Sequence, residues 1–437
     1  MRHTSRTAGS SWLMLMALTT AFALSQAFRT VAAILATPLQ AEFGLSPQAL
    51  GLFAGAFHFA FGALQLMMGI GIDLQGVRRT VLMAFPLAIV GAAVSALAPN
   101  FAVLVAGQVL IGIGCAPAFL VCTVFIARQF PAERFAAVSG MTLGIGSLGM
   151  LLTGTPLAWL VQATSWRTGF WALGAGSALS WLLILRLVQE PPAPVASTER
   201  PSVLGALRSY GALFALPHTL GIVALAWVTY ASFISLRGLW LGPLLIERHG
   251  FSLVQSGNVA IAVSVVGMFG PVLFGRFDPG ASRRRWIVGF TLTVAAVFGM
   301  MAFDPGAARR RWIVGFTLAV AAVFGVMAFN PGAALDVAGL VAVGVLSGYI
   351  VLQYADVKAA YPAAMTGRAM AVLTMAMFLG VAVMQWFTGA VASAASAHGA
   401  DPFVSVLLTI AGLLVAGACA FVGLPKPGAQ AGSPGIR

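Results

Sequence analysis

Two arginines stand in stretches where a charge is costly. Arg29 interrupts the apolar run from about Trp12 to Ala36, and Arg237 interrupts the run from about His218 to Leu245. At the centre of a membrane-spanning helix an arginine costs about 2.5–3.5 kcal/mol on insertion scales, so such a residue normally faces water or a partner. A guanidinium offers paired N–H donors that match a carboxylate or phosphate. The chemistry these two residues point to is therefore the binding of an anion. The competing reading is snorkelling, because each arginine is about eight residues, or about 12 Å at 1.5 Å per residue, from one end of its run. No catalytic set accompanies them: there is no Ser–His–Asp order, no pair of histidine ligands and no soluble segment to house a cofactor. An enzyme is not expected, nor a resident metal or cofactor. Cys115, Cys122 and Cys419 lie in apolar surroundings and read as packing residues.

The elements that must position the arginines follow from composition. Of the 437 residues 60% are apolar and 8% charged, whereas a soluble domain carries about 25% charged residues. The bilayer is the natural solvent for such a chain. No Asp, Glu, Lys or Arg occurs from Phe43 to Ile72, Thr80 to Ala127, Phe135 to Trp166, Ala369 to Ala400 or Pro402 to Pro425. A crossing helix needs roughly 20 apolar residues, and the short alternating segments of a membrane barrel are not the pattern here. Spans are expected at about 12–36, 49–72, 80–97, 101–126, 136–161 and 169–187, and again at about 218–245, 255–275, 334–355, 369–392 and 403–424, with one more from the stretch between 277 and 328. Between the two sets, "QEPPAPVASTERPSVLGALRSYG" reads as a solvated linker. The expected fold is an all-α polytopic membrane protein of two six-helix bundles: residues 1–188, a cytoplasmic linker 189–217, and residues 218–437. The basic start resembles a signal peptide, but its apolar stretch runs on and is read as an uncleaved first helix.

The net charge of +13 does not point to nucleic acid, because the basic residues sit singly or in triplets between apolar runs. They read as topology signals. With the N-terminus inside, the inner loops and tails hold Arg78, Arg79, Arg128, Arg134, Lys358 and Arg368 among others, and the outer loops hold only Arg167 and Arg248. That asymmetry predicts an even number of crossings and cytoplasmic termini in a plasma or inner membrane.

The halves echo one another. "FGLSPQALG" from Phe43 returns as "HGFSLVQSG" from His249, and "IGIDLQGVRR" from Ile70 returns as "GRFDPGASRRR" from Gly275. Gly69, Asp73, Gly76, Arg78 and Arg79 resemble the signature loop between the second and third helices of the major facilitator superfamily, with Leu74 where that pattern has a basic residue. "GQVLIGIG" from Gly107 resembles the fourth-helix motif, with Gln108 in place of its arginine, and "GSLGMLLTGTPLAWL" followed by "SWRTGFW" is also similar to the family. The resemblance implies alternating access, in which two bundles rock about a central cavity lined by the first and seventh helices. It implies a gating role for the signature loop and, in the second half, for Asp278 with Arg283, Arg284 and Arg285; the bland alternative is a solvated turn. It also places Arg29 and Arg237 on a shared anion, with Gln26, His58, Gln65, Trp240, Gln353 and Gln385 as further solute-binding candidates and Asn258 and Tyr354 beside them. His58 could carry a coupling proton in symport, or be a hydrogen-bonded packing residue. Asp356 reads as the partner of an inner arginine before it reads as a proton relay. The glycines at 140, 144, 146, 149 and 154 are expected to pack helices closely.

One feature is peculiar to this chain. "FDPGASRRRWIVGFTLTVAAVFGMMA" (277–302) is followed at once by "FDPGAARRRWIVGFTLAVAAVFGVMA" (303–328), and the copies differ at three positions. If both apolar runs crossed, every later helix would invert against the charge bias. The expectation is that both arginine triplets stay on the inner side, that the second copy spans because it joins the next turn directly, and that the first is displaced. The function expected is secondary transport of a small, anionic organic solute by a monomer in the lipid bilayer. Export of apolar drugs or metabolites, and a non-transporting or duplication-damaged protein, are the alternatives.

Overall fold

The computed structural model describes residues 2–189, 211–274 and 305–424, apart from 212, 215 and 362. Among these residues the secondary structure is helical, without strands. Twelve helices are long and apolar enough to cross a bilayer: α1 (Ser10–Thr30), α2 (Pro47–Ile72), α3 (Leu74–Ala96), α4 (Phe101–Gln129), α5 (Val138–Ala163), α6 (Trp166–Leu187), α7 (His218–Arg248), α8 (Leu253–Pro271), α9 (Arg309–Ala328), α10 (Ala333–Ala360), α11 (Arg368–Ala397) and α12 (Pro402–Gly423). The two groups of six pack as bundles, α1 against α4, α5 and α6 in the first, and α7 against α11 and α12 with α9 against α12 in the second. The helices alternate in direction, so one end of the molecule carries Glu42 and the other Arg78.

The turns at the Glu42 end are short because side chains close them. Five helices that start there have their free N–H groups capped: Ser46 accepts from Ala49 N, Asn100 from Val103 N, Ser165 from Thr168 N and Asp401 from Phe403 N, while Ser252 and Gln255 cap reciprocally. This explains the first sequence echo. Gly44 and Gly250 take φ of 61° and 68°, the left-handed conformation that ends a helix cheaply only in glycine, and Ser46 and Ser252 start the next helix two residues on.

The same end carries ion pairs that act within each bundle. Arg167 holds Glu42 at 2.7 Å and donates to the Ala98 carbonyl, and Trp166 Nε1 donates to Glu42 Oε2 at 2.5 Å. Partial burial alone would raise the Glu42 pKa, but the bonds from Trp166 and Arg167 outweigh it and hold the carboxyl below its usual range. In the second bundle Arg248 reaches Asp336 at 3.4 Å, Asp401 at 3.2 Å and the Met327 carbonyl, and His249 lies 2.7 Å from Asp336. The two arginines that the charge count left on this side are thus the fastenings of the two bundles.

At the Arg78 end the halves again correspond. Gly76 has φ 85° between α2 and α3, the tight turn expected of it. Arg78 donates to the Leu185 carbonyl at the end of α6, and Arg310 donates to the Phe421 carbonyl at the end of α12 with its guanidinium 4.0 Å from the Phe421 ring. Arg310 belongs to the second copy, which supplies α9. Asp278, Arg283, Arg284, Arg285 and the rest of the first copy lie outside the described residues, as does the side chain of Asp73. The buried face of α9, formed by Ile313, Thr317, Val320, Phe324 and Met327, has the same residues in the first copy, and Val326, one of the three differing positions, is 59% exposed.

Two outcomes follow. Asp336 is fully buried and serves both Arg248 and His249, so Asp336→Ala should cost about 3–5 kcal/mol by removing a buried partner from both, whereas Glu42→Ala removes an exposed pair and should cost no more than about 1 kcal/mol. Equal losses in thermal unfolding of the two variants would contradict the fastening described. Deleting residues 277–302 leaves the α9 face intact and should leave the melting temperature unchanged; loss of folded protein would show that the first copy contributes to the bundle.

Candidate functional site

Three helices lose regularity at one level of the molecule. α1 is interrupted at Val31, beyond which helix resumes from Ala32 to Phe43. α5 is interrupted at Thr153 and Gly154, the latter at φ −100°, ψ −127°. α7 is π-helical over Leu236–Trp240 and Leu244–Arg248. Irregular backbone at membrane depth is tolerated where protein or a cavity satisfies it, and π-turns gather at functional sites.

Arg237 sits in the first π-turn and is fully buried. Its Nε donates to Ser264 Oγ at 2.9 Å and its Nη2 to the Met150 carbonyl at 3.0 Å. That carbonyl is available because the break in α5 replaces its helical partner: Gly154 N–H turns to Leu151 instead. Gly154 and Pro156 are the sequence signal of the break; nothing in the sequence marks Met150 itself. Arg29, 7% exposed, donates to Gln26 Oε1 at 2.5 Å and lies 4.6 Å from the ring centres of both Phe61 and Phe378. Such cation–π contacts favour a desolvated guanidinium. Gln26 in turn lies against the Met150 sulfur. The structure therefore brings Arg29 and Arg237 to one place, from opposite bundles, linked through Gln26 and Met150. Among the described residues no carboxylate is within ion-pairing distance of either.

The other candidates divide. His58 and Gln385 belong to this place: both are buried, near enough to each other to interact, and His58 feels the charge of Arg29. Tyr354 also lies within reach of that charge. Gln65 is set apart, its amide bound to the Phe61 and Ala116 carbonyls within the first bundle. Trp240 donates to Thr388 on the Glu42 side of the arginines. Gln353 accepts from Thr229 and lines, with Asp356, a small cavity inside the second bundle. Asp356 lies within reach of the charges of Arg310 and Arg309, and its Oδ2 makes no hydrogen bond.

Contacts between the bundles close the Glu42 half. A Cβ on Gly242 would come within 1.9 Å of the Ala33 carbonyl, one on Gly51 within 2.3 Å of the Gln385 carbonyl, and one on Gly257 within 2.9 Å of Thr155 N. These three approaches join α1 to α7, α2 to α11 and α5 to α8. Hydrogen bonds from Gln48 N to Ser393 and from Thr155 to Asn258 add to the seal. Gly146, Gly149 and Gly154 pack closely, as expected; Gly140 and Gly144 do not, since an added Cβ there would meet nothing within 4 Å.

Twelve helices long enough to span a bilayer, in two bundles sealed against each other at one end over a buried polar centre, define a polytopic helical membrane protein. The sequence model of the Major Facilitator Superfamily matches residues 17–309, and the chain belongs to that family. It is similar to a hexuronate transporter of Bacillus subtilis, 22% identical over 55% of this chain and 58% of that one. It is also similar to a "Probable sugar efflux transporter" of Helicobacter pylori, 26% identical over 56% and 60%. The aligned part is thus somewhat over half the length of these relatives. A D-xylose–proton symporter shares the fold at a TM-score of 0.70 and 15% identity, with 95% of this chain and 98% of that one covered.

The seal makes a specific demand on its glycines. Gly242→Val should hold α1 and α7 apart, so that a cysteine placed at Ala33 becomes reactive to a polar maleimide added from the Glu42 side. Unchanged reactivity would show that the α1–α7 approach does not close this face.

Proposed function

We propose that the chain is a secondary transporter that moves a small organic anion across the plasma (inner) membrane by alternating access. The observation that carries the reading is the pair of buried arginines, one from each bundle, without a carboxylate partner among the described residues. Burying an unpaired charge is strongly unfavourable, and an anion held by both guanidiniums would offset both. It would also tie the bundles together, so that its arrival and departure bias their arrangement. The hexuronate transporter among the relatives supports an anionic solute; the sugar efflux relative supports a neutral one, and the test below separates them.

The positive-inside bias supports a cytoplasmic Arg78 end and cytoplasmic termini, with bundles of 1–188 and 218–437 about a linker of 189–217. On that orientation the seal faces outward and this arrangement is closed to the outside. The ion pairs of the Glu42 end lie within bundles, so separation of α1 from α7 and α2 from α11 would break few polar contacts. The signature loop, with Gly69, Asp73, Gly76, Arg78 and Arg79, and the arginine triplet of the second half would govern the opposite end; Arg78 and Arg310, which fasten α3 to α6 and α9 to α12, support that role.

In proteoliposomes, Arg29→Gln and Arg237→Gln should each weaken carboxylate uptake by about tenfold or more, the scale of a lost charge-assisted bond. Neither should lower the melting temperature without ligand, because each removes an unpaired buried charge. Uptake of anions unchanged in both variants, or equal competition by a neutral sugar, would sink the anion reading.

A further inference from the structure

Around the two arginines the structure leaves buried polar atoms without partners. Nε of Arg29, Nη1 of Arg237, Nε2 of His58 and both amide atoms of Gln385 make no hydrogen bond, although the four residues are only 7, 0, 1 and 0% exposed. Folded proteins rarely leave such atoms unpaired, and a cluster of them calls for an explanation. The cluster is compact. Gly238 lies against both the Arg29 carbonyl and Gln385 Nε2, and the Phe378 ring that stacks 6.3 Å from His58 is also the ring under Arg29.

The atoms differ in kind. Those of the arginines can only donate. His58 Nδ1 faces the Ala54 carbonyl at 3.0 Å, and a carbonyl can only accept, so this bond assigns the proton to Nδ1 and leaves Nε2 with a bare lone pair. Gln385 presents an amide nitrogen with two N–H donors and one acceptor oxygen. A simple carboxylate would satisfy the arginines but leave Oε1 of Gln385 without a donor, and leave Nε2 of His58 with no donor but the neighbouring Gln385 amide. A neutral polyol would satisfy those two and leave the guanidiniums uncompensated. A molecule carrying both a carboxylate and hydroxyl groups completes the set.

We propose that His58 and Gln385 read hydroxyl groups on the solute, and that the solute class is a hydroxylated carboxylate such as a sugar acid. This rests on the anion reading above and extends it. The four residues come from α1 and α2 in one bundle and α7 and α11 in the other, so the hydroxyl-bearing part would bridge α2 and α11 while the carboxylate bridges α1 and α7. A site with a hydrogen bond waiting for a hydroxyl discriminates strongly against the analogue that lacks it.

The test uses the full chain in lipid nanodiscs and three six-carbon probes: D-gluconate, hexanoate and sorbitol. In wild type, thermal protection should require at least about tenfold less gluconate than hexanoate, with sorbitol weaker still. Gln385→Met and His58→Leu should bring gluconate down to the hexanoate level while leaving hexanoate unchanged. Both variants should melt no lower than wild type, because each removes unpaired buried atoms; a merely structural role for either side chain entails a lower melting temperature with the gluconate preference kept. Equal protection by gluconate and hexanoate overturns the hydroxyl reading and leaves the anion reading standing. Equal protection by gluconate and sorbitol overturns the anion reading itself, and no protection by gluconate at millimolar concentration overturns both.

Discussion

A guanidinium in the interior of a membrane protein must find its hydrogen bonds in the protein or in a ligand, and much of this molecule is arranged around that need. Arg237 finds one bond by reaching across the bundle interface to the Met150 carbonyl, and that bond exists because α5 breaks where it does. The break in turn places Gly154 against α8, and the π-turn that carries Arg237 brings Gly238 against the Arg29 carbonyl. Local irregularity, close helix approach and buried charge are one arrangement seen at three scales. Its residual incompleteness, a set of buried polar atoms left unpaired, is the observation on which the proposed solute site rests.

The ion pairs lie within the bundles, and few polar side-chain contacts run between them at the Glu42 end. Arg248 gathers α7, α9, α10 and α12 through Asp336, Asp401 and the Met327 carbonyl, and Arg167 gathers the ends of α1, α3 and α6. Between the bundles the closed half relies on glycine-mediated backbone approach and a few single hydrogen bonds. In lipid, small residues at a helix interface let the backbones approach this closely.

Most of the architecture was legible in the residues. The charge gaps gave the spans, and the second copy is the one found in α9. The echo of Gly44 and Ser46 in Gly250 and Ser252 proved to be a shared stop-and-start signal between helices. The pairing of Arg29 with Arg237 was readable from their rarity in apolar runs together with the family resemblance. Other features were not readable, for physical reasons. A carbonyl such as that of Met150 has no signature in the side chain that carries it. Gln353 and Gln65 are amides in apolar helices like Gln385, and only packing decides that one faces a cavity inside a bundle, one spans two helices of the same bundle, and one meets the opposite bundle. Glycine spacing suggested contact at Gly140 and Gly144, but a small residue permits an approach without causing one.

The way the helix ends are fastened bears on where this sequence can grow. At the Glu42 end the turns are capped and brief, and the residues they join are fastened to neighbours: additional chain between α7 and α8, or between α11 and α12, would pull Arg248 away from Asp336 or Asp401. The repeated 26 residues entered instead between α8 and α9, at the end where Arg310 secures α9 locally to α12. The contacts that hold α9 are made by its own residues and their neighbours, Arg310 on Phe421 among them, so an evolving chain could gain sequence ahead of α9 without replacing any of them.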